Sequence, residues 1–371
     1  MKCKHFGKCG SCSLYELDYD SQLKDKESMV TKLLEPFYSD KLEVFSSSQW
    51  HYRARAEFRI WHEGDECFYA MGNLAKNGVV LIEECPKVIE PIESRMWGML
   101  EFINTSKILS HKLFSVEFLA TTTDDVLVTL IYHKKLDEQW SKEAKEIESA
   151  FRCKVMGRSR KQKVILSDDF VVEKLDIDNQ TYIYKEYESG FTQPNPYANV
   201  AMIEWAISQV QTIDDRKDLL ESYCGLGNFT IPLSKYFNKV LATEISKRSI
   251  NSALQNCELN GVKNISFIRL SSEEMTQALN KEREFRRLQN VDLDSYDFSC
   301  VLVDPPRAGL DSDTIELISK IDYIVYISCN PHTLARDLEI LSKTHKILKG
   351  AIFDQFPHTS HIESGVFLSK K

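Results

Sequence analysis

No apolar run in this chain approaches the ~18 residues that a membrane helix needs, and the opening Met1-Lys2-Cys3-Lys4-His5 stretch has no apolar core of a secretory signal. These absences predict a cytoplasmic protein without a membrane partner. Positive charge is not in excess either. The 47 Lys and Arg residues stand against 55 Asp and Glu, a formal net of −8, so bulk charge does not draw the chain to nucleic acid and any such site must be a local patch. Internal repeats and low-complexity segments are also lacking. With 43% hydrophobic and 27% charged residues in a chain of 371, the composition excludes a disordered, collagenous or coiled-coil protein. At one domain per ~150 residues, two or three domains are expected.

Ten cysteines are present, at 3, 9, 12, 67, 85, 153, 224, 257, 300 and 329. In a reducing compartment disulfides are not expected, so clustered cysteines point to metal and an isolated one to a buried filler or a nucleophile. The first dozen residues form a turn-like, cysteine-rich tip. A helix is predicted over about 18–37, with Leu23, Met29, Val30, Leu33 and Leu34 at helical spacing. From Trp50 to about Tyr187, short alternating runs such as 54–61 and 126–132, broken by a polar helix over about 136–151, predict a mixed α+β region rich in antiparallel strands. Beyond Gly190 helices alternate with short buried strands at 218–223, 239–244, 264–269, 298–304 and 323–328. That alternation predicts an α/β domain with a doubly wound, mostly parallel sheet, and runs at 347–353 and 365–368 add a terminal hairpin. The expected division is 1–48, 49–190 and 191–371.

Three strand ends carry unusual residues, and ligand sites of open α/β sheets lie at the carboxyl ends of strands. In Glu221-Ser222-Tyr223-Cys224-Gly225-Leu226-Gly227-Asn228, a strand ends in a glycine turn that lets a ligand approach the backbone. The third glycine of the dinucleotide fingerprint is missing, which argues against a nicotinamide dinucleotide. Glu244 ends the next strand, where an acid accepts hydrogen bonds from ribose hydroxyls. Glu221, the two glycines and Glu244 fit S-adenosylmethionine, which has no pyrophosphate to cradle. Asp304-Pro305-Pro306-Arg307 and Ser328-Cys329-Asn330-Pro331 close two further strands, so Asp304 and Cys329 are expected to face the same crevice as Gly225. Acid-Pro-Pro resembles the loop by which amino methyltransferases hold a planar nitrogen, but such chemistry has no use for a thiol. A cysteine between proline-stiffened turns is placed for nucleophilic attack, the alternative being a buried filler.

The chain resembles the uracil-C5 RNA methyltransferase family over about residues 40–371, most closely its tRNA uracil-54 branch. The resemblance is carried by Tyr52-Arg53-Ala54-Arg55-Ala56-Glu57-Phe58-Arg59-Ile60-Trp61, Tyr132-His133-Lys134-Lys135-Leu136, Phe191-Thr192-Gln193-Pro194-Asn195, Tyr223 to Phe229, the run from Asp304 to Asp311, and Phe353-Asp354-Gln355-Phe356-Pro357. It implies a Rossmann-like methyltransferase domain behind an RNA-binding region. It also implies methyl transfer from S-adenosylmethionine to C5 of uridine 54 in the T-loop of tRNA, with the T-loop-like uridine of tmRNA as a further substrate. By the same matching Cys329 adds to uracil C6, Glu363 removes the C5 proton, and Asp304 joins them. Gln193, Tyr223, Gly225, Gly227, Asn228, Glu244 and Asp304 then form the cofactor and uracil pocket. No obligate protein partner is implied.

Cys3, Cys9 and Cys12, with Cys85 before Pro86, offer four thiols for a metal. Four cysteinates suit an iron-sulfur cluster or zinc, and spacing alone does not choose between them. The spacing resembles the [4Fe-4S] site of the ribosomal-RNA branch, which brings 23S rRNA in as the alternative substrate; free thiols are the third reading. For RNA contact, Arg158-Ser159-Arg160-Lys161-Gln162-Lys163, His111-Lys112 and His133-Lys134-Lys135 are local basic patches. A uridine in a folded loop must be extruded to reach a thiol, and an aromatic group commonly takes its place in the stack. Family matching points to Phe114 for that role, with Arg53 and His133 as further RNA contacts.

Overall fold

The computed structural model describes residues 3–371. Among them no helix is long and apolar enough to cross a membrane. Helix α1 (Tyr19–Leu34) is capped by Asp18, whose carboxylate accepts from the Ser21 amide. It buries a stripe at four-residue spacing: Gln22, Lys26, Val30 and Leu34. The apolar half packs into the same core as Leu334, Leu338 and Leu341, and the polar half turns to the 354–358 segment. Strand β1 (Glu43–Phe45) then pairs in parallel with a strand near the other end of the chain, Val44 opposite Ile352.

The middle region is a seven-stranded sheet. Strands β2 (Arg55–Glu63), β3 (Glu66–Gly72), β4 (Val79–Leu81), β5 (Leu113–Ala120), β6 (Val126–Tyr132), β7 (Lys154–Ser159) and β8 (Gln162–Ile165) lie in the order β4-β3-β2-β5-β6-β7-β8. All neighbours are antiparallel except β6 and β7, which need a crossover helix. Alternation along β2 sends Ala56, Phe58 and Ile60 inward and leaves Glu57, Arg59 and Trp61 outside. Helices α2 (Glu90–Thr105), α3 (Lys107–Ser110) and the crossover α4 (Glu138–Phe151) contribute Met96, Met99, Leu109, Trp140 and Ile147 to that core. Gly157 is required there, since a Cβ would lie 2.4 Å from the Trp140 ring and 2.5 Å from Leu136. The hairpin β9 (Phe170–Ile177) and β10 (Gln180–Tyr187) turns through Asp178 and Asn179, both at positive φ as a two-residue hairpin turn demands. It packs on the C-terminal core through Leu175, Ile177, Tyr182 and Tyr184.

The C-terminal region runs α5 (Pro196–Gln211), β11 (Asp218–Ser222), α6 (Thr230–Leu233), β12 (Val240–Thr243), α7 (Lys247–Leu259), β13 (Ile265–Ile268), α8 (Ser272–Leu279), β14 (Phe298–Val303), α9 (Ser312–Ile318), β15 (Tyr323–Ser328), α10 (Pro331–Leu341), β16 (His345–Phe353) and β17 (Glu363–Lys370). The sheet order is β1-β16-β17-β15-β14-β11-β12-β13, and only β17 runs antiparallel to its neighbours. The sheet is the α/β, doubly wound one expected from the alternation of helices and strands. Its order reverses at β11, between β12 and β14, so a crevice opens at the carboxyl ends of those strands. After the glycine turn the chain makes only the short α6 and a 3₁₀ turn at Ser234–Tyr236.

Candidate active site

The crevice begins where β11 meets the glycine turn. Tyr223, Gly225 and Gly227 all take positive φ, at 65°, 54° and 88°. A Cβ on Gly225 would meet nothing within 4 Å, so that position faces open space that a ligand can fill; one on Gly227 would press Ile231 at 3.1 Å. Glu244 leaves β12 beside the turn, accepting from the amides of Gly225 at 3.2 Å and Ser246 at 2.8 Å. Ile245, the next residue, is 70% exposed and offers an apolar surface next to that acid. An apolar residue just past a strand-end acid was the signal for it, though sequence reasoning passed over it. Burial pushes the Glu221 carboxyl up to about 8, and its Oε2 has no partner. Two of the residues expected at the cofactor make hydrogen bonds that brace the turn. Asn228 forms a reciprocal amide pair with Asn199 on α5, at 2.8 and 2.9 Å, and the Tyr223 hydroxyl lies 2.7 Å from Ser272 Oγ.

The reacting groups meet by sheet register. Ser328 pairs with Ser364 at the end of the antiparallel β15–β17 ladder, so Cys329, just past β15, comes beside Glu363, the first residue of β17. Asn330 caps α10 by accepting from the His332 amide, and Pro331 occupies the first turn, which sets Cys329 between a strand end and a helix start. Cys329 is half-buried. Burial, then the nearby Glu363 and Asp304 carboxylates, push its thiol up to about 11, while Arg307 acts the other way. Glu363 is buried, and burial followed by Asp304 lifts it to about 8 against the hydrogen bond from Gln355. Burial lifts Asp304 to about 7. Crowding three ionisable groups into one buried place keeps the resting site mostly protonated.

Cys329 and Glu363 open onto a cavity of about 800 Å³ that Gln193, Arg307, Gln355 and Phe356 also line. Gln355, which sequence reasoning did not single out by itself, donates to Gln193 Oε1 at 2.7 Å and Glu363 Oε1 at 3.3 Å. His358 is structural: it is buried against Trp50 and Phe6, with ring centroids 4.4 and 5.3 Å away.

The cysteine tip closes the far side of the same cavity. Cys3, Cys9, Cys12 and Cys85 all line it, and all four are free thiols. Burial lifts Cys85 to about 11, and the other three thiols add to that. The donor set has the chemistry of an iron-sulfur or zinc site. Among the described residues, however, no group of three or more His, Cys, Asp or Glu is drawn together to metal-holding distance. The tip is anchored by Gly10 donating to Gly72 at 2.8 Å and by His5 Nε2 accepting from the Glu83 amide at 3.0 Å.

On the outer face of the middle sheet, Phe114 and His133 stack with centroids 4.4 Å apart and planes at 16°. The Arg59 guanidinium lies 5.7 Å over Phe114. Arg59 was legible in the alternation of β2 but was not singled out. Arg53 lies apart from this face, lining the cavity 6.0 Å over Phe356. In the basic run at 158–163, Arg158 pairs with Glu188 at 2.9 Å and Lys163 with Asp169 at 2.8 Å, so two of its four cations face protein carboxylates.

Comparisons with known proteins bear on this geometry. A family model described as tRNA (Uracil-5-)-methyltransferase matches residues 18–371, a span that contains Cys85 but not the other three cysteines of the tip. The chain is 68% identical over 372 residues to the tRNA/tmRNA (uracil-C(5))-methyltransferase of a Sulfurovum species and 52% identical to that of a Nitratiruptor species, each comparison covering 100% of both chains. In fold it is similar to the Pyrococcus abyssi tRNA (uracil-54, C5)-methyltransferase crystallised with S-adenosyl-L-homocysteine, with a TM-score of 0.73 over 96% of this chain and 85% of that one at 24% identity. The α/β domain is thus the Rossmann-like fold of S-adenosylmethionine-dependent methyltransferases. With nearly all of its length matched, the chain belongs to the tRNA (uracil-5-)-methyltransferase family.

Proposed function

We propose that this enzyme methylates C5 of uridine 54 in the T-loop of tRNA, and the T-loop-like uridine of tmRNA, with S-adenosylmethionine as donor. The observation that carries this reading is the meeting of Cys329 and Glu363 on the wall of one cavity.

When bound between the glycine turn and Glu244, S-adenosylmethionine supplies an electrophilic methyl group. Uracil C5 is a poor nucleophile on its own. The Cys329 thiolate adds to C6, which loads electron density onto C5 and lets it attack that methyl. Glu363, in its ionised form, then takes the C5 proton as general base. The C5–C6 double bond re-forms as the C6–Sγ bond breaks, and Cys329 leaves as the thiolate. Gln193 and Asp304 hold the ring between these two groups. Residues 191–371 are the catalytic domain in this account, and 49–190 hold the RNA. Phe114 and His133 offer a stacked face for the loop, and Arg53 a cation at the cavity, while the target base is extruded.

The four cysteines favour a second element. Cys3, Cys9, Cys12 and Cys85 would hold a [4Fe-4S] cluster rather than zinc, by the likeness of their spacing to the ribosomal-RNA branch, once the four thiols close on one point. Protein purified without oxygen should be brown and carry iron and sulfide; colourless protein holding stoichiometric zinc would contradict the assignment. Because that spacing resembles the ribosomal-RNA branch, the substrate test includes both RNAs. Labelled methyl incorporation is measured into a tRNA, the same tRNA with cytidine at 54, and 23S rRNA fragments. Incorporation into the first alone supports the reading, and incorporation only into rRNA overturns it.

A further inference from the structure

Gln355 lies in the segment between β16 and β17, 1% exposed, on the wall of the cavity that holds Cys329. Its amide nitrogen is used twice, donating to Gln193 Oε1 at 2.7 Å and to Glu363 Oε1 at 3.3 Å. Its amide oxygen, though buried, has no partner. A buried acceptor in a native protein is normally met in one state or another. Two acceptors, Gln193 Oε1 and Glu363 Oε1, hold the nitrogen edge of the amide toward themselves. The oxygen edge is left without a protein donor.

The segment around Gln355 is held tightly enough for that oxygen to act as a fixed probe. On one side the Lys26 ammonium is buried against Asp354 at 2.7 Å and donates to the Phe356 carbonyl at 3.2 Å. On the other, Asn195, which caps α5, donates to the Gln355 backbone carbonyl at 3.4 Å. Neither contact touches the orphan oxygen.

Gln355 thus brings to the cavity wall a desolvated acceptor that no protein donor meets. A uracil ring carries a single ring N–H that faces outward when the ribose bond is on N1, the N3–H between O2 and O4. Cytosine has a bare nitrogen acceptor at that position, which would meet the Gln355 oxygen lone pair to lone pair. We propose that Gln355 is a specificity residue whose side-chain oxygen accepts the N3–H of the target base and so selects uracil over cytosine. The inference rests on the proposed function and adds the group that reads the base.

The test uses the full chain with Cys329→Ala, so that no covalent bond forms, and measures equilibrium binding of tRNA T-arm hairpins with uridine or cytidine at the target, at one salt concentration. Adding Gln355→Met should lower the preference for uridine about tenfold, by weakening the uridine hairpin alone, as expected for loss of one base-edge contact. An equal loss for both hairpins marks a merely structural side chain, and an unchanged ratio marks an oxygen met by water; either overturns the proposal. A second measurement leaves Gln355 in place and puts N3-methyluridine at the target, which should bind at least about tenfold more weakly than uridine. Equal binding contradicts the assignment. The unaltered enzyme is first checked for methylation of the uridine hairpin. Failure there refutes the proposed function, whereas methylation with an unchanged ratio refutes the role of Gln355 alone.

Discussion

Cys329 and Glu363 stand beside each other at the ends of adjacent antiparallel strands, and each ionised carboxylate at 363 makes the thiolate at 329 harder to form. Both groups must be deprotonated to act, and both bind protons more tightly than usual.

Release of the methylated base, and with it a full turnover, should therefore climb with pH. Burial and Asp304 lift the Glu363 carboxyl to about 8 from an ordinary 4.5, and the base works only when ionised. The single-turnover rate is expected to rise steadily from pH 6 through pH ~8, and a plateau already reached near the ordinary carboxylate range would contradict it.

Stability should move the opposite way. Because the folded state raises the Glu363 pKa, it binds a proton that the unfolded chain releases, so the contribution is full below 4.5 and is lost as pH rises toward about 8. Glu363→Gln, which cannot ionise, should melt above the parent at pH 8.5 and close to it at pH 4.5. Melting curves across that window check this, and a gap that shrinks with pH refutes it.

Lys26 and Asp354 form a buried ion pair, 3% and 0% exposed, that ties α1 to the segment carrying Gln355. Lys26→Met leaves a buried carboxylate unpaired and should cost about 3–5 kcal/mol of stability. Adding Asp354→Asn should restore much of that, since the uncompensated charge is then gone. Denaturant titration of the three variants reads the pattern; a single variant that loses under ~1 kcal/mol would show that the pair does not hold the segment.

Much of this was legible in the sequence because it is local. Glycine turns, acid-Pro-Pro and Ser-Cys-Asn-Pro each sit at a strand end, and a doubly wound sheet brings strand ends together without further information. Gln355 escaped notice because its meaning lies in Gln193 and Glu363, of which the first is 162 positions away. The joining of β1 to β16 escaped for the same reason: a three-residue edge strand carries no periodic signal, and its partner lies some 300 residues on. The apolar spacing of α1 gives no sign that Gln22 and Lys26 are buried, because what covers them is the distant 354–358 segment. Metal ligation was suggested by spacing, yet the four thiols share a cavity wall without closing on one point.

In the proposed mechanism Cys329 bonds to the base and Glu363 releases it. Denaturing gels of enzyme incubated with labelled tRNA and S-adenosylmethionine test it most directly. Cys329→Ala should give no protein–RNA adduct and no methyl transfer, and Glu363→Gln an adduct that accumulates, with product release slowed about 10²-fold or more. Normal turnover by Cys329→Ala, or an adduct that forms without Cys329, would contradict it.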